Sequence, residues 1–181
     1  MKGIVFTEFL EMVEATFGLE TVDYIINESN LKSEGVYTSV GTYDFIEMVN
    51  LITNLSSKVN IPVDTLIYEY GKYFFGVLIK SHPKIFDVYN SPIDLLSSVE
   101  SHIHVHVRKI YPEAELPTFE ILEQTKDSIQ MLYKSERAMY MFAQALIEKT
   151  FEHYHDMAKV SLEKLNEKGT KVKFTIEKVY E

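Results

Sequence analysis

Two short runs hold residue types and spacings that could do chemistry together. In the first, His102, His104 and His106 alternate in a mostly apolar segment that reaches Tyr111-Pro112 and continues to Leu116-Pro117-Thr118-Phe119. A neutral imidazole is a ligand for transition metals, iron among them. In the second run Tyr133, Ser135 and Arg137 alternate. Tyrosine and serine hydroxyls donate hydrogen bonds, and a guanidinium grips carboxylates with a planar, permanently charged fork. In an extended segment alternate residues point the same way, so these three would form one carboxylate-binding edge.

Three alternating histidines on a strand would share one face, as some zinc and iron sites require. The segment has helical periodicity instead, with Leu95, Leu96, Val99, Ile103, Val107 and Ile110 as its apolar stripe. In a helix, residues two apart point about 200° from each other, so His102, His104 and His106 cannot converge on one ion. At most one is a ligand. With the stripe centred near Ile103, His104 lies about 100° to one side and His102 as far to the other, and helix geometry alone does not choose between them. Half-exposed surface histidines are the plain alternative.

The elements around these runs follow from local signals. Phe9, Leu10, Val13 and Phe17 recur at helical spacing before Gly18, and a second helix fits 21–27. Residues 30–42 hold Ser, Gly and Thr and read as a loop. Residues 44–59 are helical. Pro62 opens a helix that continues to about Ile79, and His82-Pro83 breaks it. Ser91 is an N-cap, with Pro92 at the first position of the histidine helix. After Pro117 the period changes. Residues 118–122 and 128–133 read as strands, with Ile129, Met131 and Tyr133 on one face. Residues 136–157 return to helix, and 160–165 with 172–179 read as a hairpin around Asn166 to Gly169. The expected class is α+β: a helical N-terminal lobe (about 1–65), then a lobe (about 66–181) with a four-stranded antiparallel sheet and a packed helix, in one domain.

The chain has 181 residues, no cysteine, and 27 Asp and Glu against 18 Lys and Arg. A domain of this length buries enough surface to need no disulfide. Thiol catalysis, iron–sulfur clusters and cysteine zinc sites are excluded. The net charge of −9 argues against nucleic acid as a partner. No secretory signal and no membrane-spanning run is visible, so a cytoplasmic protein is expected.

The pairing of His104, Tyr111-Pro112 and Pro117-x-Phe119 with Tyr133-x-Ser135-x-Arg137 resembles the haem-nitric oxide/oxygen binding (H-NOX) family, and Met1-Lys2-Gly3-Ile4 is similar to that family's usual opening. The resemblance spans essentially the whole chain. It implies haem b (iron protoporphyrin IX) between the two lobes, with His104 as the iron ligand and Tyr133, Ser135 and Arg137 on the propionates. It also implies that Pro117 and Val5 press on the porphyrin and hold it out of plane.

Oxygen-binding members of the family place a distal tyrosine five residues after the signature arginine, helped by polar residues on two other helices. Here these positions match Phe142, Phe9 and Phe74, all apolar. Bound oxygen is polarised and needs a donor, whereas nitric oxide and carbon monoxide on ferrous iron need far less help. The resemblance therefore implies a sensor that binds nitric oxide and excludes oxygen. Nitric oxide would break the iron–His104 link, let the haem flatten and shift one lobe against the other. No general-base constellation accompanies the site, so no enzyme is expected. No effector domain follows within the sequence. Stand-alone bacterial members of this size regulate a histidine kinase or a diguanylate cyclase/phosphodiesterase in trans. The rival readings are a protein-interaction module without haem, whose aromatics are only core, and a mononuclear metal enzyme using His102, His104 and His106.

Overall fold

The computed structural model describes residues 1–180, which form two compact units, Met1–Tyr73 and the chain from Phe74 onward. In the first, α1 (Gly3–Phe17), α2 (Leu19–Glu28), α3 (Phe45–Val59) and the start of α4 (Val63–Ser81) pack their apolar stripes together. Phe6, Phe9, Val13, Ile25, Leu51 and Leu55 are fully buried there. The loop between α2 and α3 is tied down by Glu47, a buried carboxylate that accepts hydrogen bonds from the Ser33 and Tyr37 hydroxyls. Gly3 allows the same loop to close on α1: a Cβ at this position would lie 1.8 Å from the Thr38 carbonyl oxygen.

The second unit is an antiparallel sheet in the order β1-β2-β4-β3, with α8 (Tyr140–His153) packed on it. The strands are β1 (Thr118–Gln124), β2 (Ser128–Lys134), β3 (Met157–Lys164) and β4 (Lys171–Val179). Strand alternation builds the core directly. Ile129, Met131 and Tyr133 of β2 and Val172, Phe174 and Ile176 of β4 point inward, against Ala143, Ile147 and Phe151 of α8. Each such large apolar side chain contributes roughly 1.5–3 kcal/mol by leaving water. The expected α+β class, helices followed by a four-stranded antiparallel sheet, is the observed one. Among the described residues no helix is long and apolar enough to cross a membrane.

Three local expectations are corrected. The histidine helix is not continuous. Ser91 caps α6 (Pro92–Ser97) by accepting from the Asp94 N–H, as expected, but a π-turn at Val99–Ile103 separates it from α7 (His104–Ile110). Its wide ring is closed by Ile103 N–H on the Ser98 carbonyl. A π-turn absorbs one extra residue, so every later side chain is set back by about 100°. His104 would lie about 80° from Leu96 on an unbroken helix, and comes within about 20° of it here. The stripe therefore fails beyond the turn, where its last member, Ile110, is exposed and Val107 is only half-buried.

Second, the chain is not extended through Arg137. β2 ends at Lys134, and residues 135–138 form a turn in which Ser135 Oγ accepts from the Arg137 N–H and Ala138 takes a positive φ of 50°. A serine hydroxyl that satisfies a backbone donor two residues on favours a turn over continued strand. Third, this turn delays α8 to Tyr140, and Met157 starts β3 rather than ending the helix. A further short helix, α5 (Pro83–Asp87), follows the break at His82.

Candidate metal-ligand site

The π-turn sets the three histidines in different surroundings. His104 is 8% exposed, whereas His102 and His106 on either side are exposed. His102 Nδ1 is instead hydrogen-bonded to the Tyr89 hydroxyl. His104 Nδ1 lies 2.8 Å from Glu100 Oε1, and the same oxygen accepts the backbone N–H of Phe119 at 3.0 Å. Burial is the largest influence on the imidazole. It outweighs the attraction of Glu100 and, with Arg108 nearby, holds the pKa below the ordinary histidine value. At neutral pH the ring is uncharged, and its contact with Glu100 is an N–H···O hydrogen bond rather than an ion pair. A carboxylate only accepts, so Nδ1 carries the proton and Nε2 keeps its lone pair. No hydrogen bond among the described residues engages Nε2.

Phe119 links this imidazole to the second motif. Its ring centroid is 6.0 Å from that of His104 and 5.6 Å from that of Tyr133, its register partner across β1 and β2. Tyr133 is 1% exposed. Burial raises its phenol pKa, against the opposing influences of hydrogen bonds with the Ser135 hydroxyl and the Met139 backbone and of the Arg137 charge. The strand end and the turn thus bring Tyr133, Ser135 and Arg137 together, although only Tyr133 belongs to the strand. Arg137 Nη1 donates to the Glu115 carbonyl at 2.8 Å, and Nη2 pairs with the Glu115 carboxylate. Pro117, half-buried, lies in the extended linker between Glu115 and β1.

The apolar positions fall in both units. Phe74 and Phe142 pair with ring centroids 5.5 Å apart. In the N-terminal unit, Phe9 is fully buried and meets Tyr70 edge-on at 5.3 Å, and Val5 is half-buried on α1. Sequence reasoning missed Tyr70. Its fully buried hydroxyl donates to the Val5 carbonyl at 2.6 Å, and burial drives its pKa well up. It also missed Glu100, which the spacing of four before His104 on a helix could have signalled.

These donors fit a haem. One buried neutral imidazole could serve as an iron ligand, and among the described residues no group of three or more His, Cys, Asp or Glu is placed to hold a bare metal ion. Arg137 already grips one carboxylate, as a propionate would require.

Comparison with known proteins agrees. A family model described as HNOB, Haem-NO-binding, matches residues 2–162. The crystal structure of the Fe(II) unliganded H-NOX protein from K. algicida is 54% identical, with a TM-score of 0.98 over all of this chain and 98% of that one. The solution structure of the IWP-051-bound H-NOX from Shewanella woodyi in the Fe(II)CO state is 38% identical, with a TM-score of 0.84 over 99% of this chain and 95% of that one. The H-NOX protein from S. oneidensis in the Fe(II)NO state, 23% identical, shares the fold with a TM-score of 0.90 over 99% of this chain and all of that one. No curated protein matches the chain. The family match and the likeness to the K. algicida protein lead to one conclusion: this chain belongs to the Haem-NO-binding (H-NOX) family.

Proposed function

We propose that the protein is a haem-based sensor of nitric oxide, with His104 as the axial ligand. The buried, uncharged His104, fixed through Nδ1 and with Nε2 unengaged, carries this reading. Bound haem would supply a ferrous iron able to take up a diatomic gas. Tyr133, Ser135 and Arg137 hold the propionates, and Pro117 and Val5 press on the ring. The group proposed is haem b, as the family resemblance implies, and the lack of cysteine rules out thioether attachment of the c-type kind.

Phe9, Phe74 and Phe142 set the gas selectivity. None carries a polar hydrogen, so none stabilises the negative charge on a bound oxygen molecule. The Tyr70 hydroxyl, beside Phe9, is committed to the Val5 carbonyl. Nitric oxide and carbon monoxide bind, and oxygen does not. The Fe(II)NO and Fe(II)CO states of the S. oneidensis and S. woodyi proteins support these two ligands. The output is conformational and is delivered to a separate bacterial effector, a histidine kinase or a diguanylate cyclase/phosphodiesterase. A protein-interaction module without haem would leave the His104–Glu100 pair without a role.

His104→Gly tests the ligand. Wild type takes up one haem and its Soret band shifts with carbon monoxide. The variant loses the five-coordinate histidine spectrum, and added imidazole restores it, while His102→Gln changes nothing. A His104→Gly protein with an unaltered ferrous spectrum would refute the assignment.

A further inference from the structure

Glu100 lies one turn before His104, within the π-turn, and a single oxygen of its carboxylate serves two donors, His104 Nδ1 at 2.8 Å and the Phe119 backbone N–H at 3.0 Å. The His104 side chain is 11% exposed and that of Glu100 32%. We infer that Glu100 is a positioning residue that fixes the ring and tautomer of His104 and strengthens its donation to iron, so that it sets the haem's reduction potential. This rests on the haem reading above.

Two features favour this role over a casual helix-surface pair. The carboxylate is anchored to the second residue of β1 through the Phe119 N–H, so it cannot follow the imidazole if the ring rotates. Rotation of His104 therefore breaks the Nδ1 bond, and the ring is held in one orientation. In addition, an anionic acceptor on Nδ1–H pulls the proton away from the ring and raises electron density at Nε2, more than a backbone carbonyl or water would. A more strongly donating imidazole favours ferric over ferrous iron and gives a stiffer iron–nitrogen bond. Partners of this kind change metal affinity or activity by about 10–100-fold. At the lower figure, a tenfold change in the ferric-to-ferrous preference equals about 60 mV for one electron.

The test uses the haem-loaded protein, with resonance Raman on the ferrous form and a spectroelectrochemical titration. Glu100→Gln keeps an oxygen for the Phe119 N–H and for Nδ1–H, and removes only the charge. The iron–histidine stretching band is expected to fall in frequency, and the midpoint potential to rise by about 60 mV. Glu100→Leu should move both further in the same direction. If Glu100→Gln retains haem and binds carbon monoxide but has the wild-type band and potential, the role of Glu100 is overturned and the haem reading stands. If wild type itself shows no histidine-ligated haem, both are overturned.

Discussion

Removing the Arg137 guanidinium should loosen the haem by an amount the structure allows to be worked out. Nη1 and Nη2 both engage Glu115, one prong on its carbonyl and one on its carboxylate. The Glu115 side chain is 81% exposed, so its carboxylate can return to water at little cost and leave the fork to a propionate. A hydrogen bond to a charged group contributes about 1.5–3 kcal/mol. The Arg137 side chain is 18% exposed, and solvent screening pulls the figure toward the lower end. A loss of about 2 kcal/mol is roughly a 30-fold change. Haem transfer from ferric protein to excess apomyoglobin, followed in the Soret region, should run about 30-fold faster in Arg137→Ala. Arg137→Lys keeps the charge but loses the planar fork, and should fall between the two. Transfer from Arg137→Ala within twofold of the wild-type rate would refute the propionate role. Circular dichroism melts of both proteins check that the turn at residues 135–138 survives.

Two other perturbations test separate parts of the account. Phe142→Tyr introduces a phenol on α8 beside Phe74, and one neutral hydrogen bond of about 1–1.5 kcal/mol should raise oxygen affinity by roughly tenfold, read by oxygen titration of the ferrous protein. Glu47→Ala leaves the Ser33 and Tyr37 hydroxyls without their shared acceptor, and should cost about 1.5–3 kcal/mol, a drop in melting temperature of about 3–12 °C for a chain of this size.

Much of the fold could be read from the sequence because simple periods decide it. Ile129, Met131 and Tyr133 alternate and are all buried, and Ser91-Pro92 caps a helix as such pairs do. What escaped is where a local detail overrides the period. The π-turn has no compositional mark: Val99-Glu-Ser-His-Ile103 is ordinary helical sequence, and only the backbone bond from Ile103 to Ser98 shows that one extra residue is absorbed. The turn at residues 135–138 was hidden because Ala138, rather than glycine or asparagine, takes the positive φ. Tyr133, Ser135 and Arg137 still meet, since the turn folds the chain back and keeps the three closer than an extended run would. The hydrogen bond from Tyr70 to Val5 joins residues 65 apart in sequence, which no local pattern can announce.

The central claim is that His104 holds a ferrous haem that takes nitric oxide and refuses oxygen. An absorption spectrum of the purified ferrous protein, recorded in air and then with carbon monoxide and nitric oxide, tests it most directly. The account predicts a high-spin Soret band that air leaves unchanged and that both other gases move. A stable oxygen complex in air would contradict the apolar reading of Phe9, Phe74 and Phe142, and no Soret band after haem is supplied during expression would contradict the sensor itself.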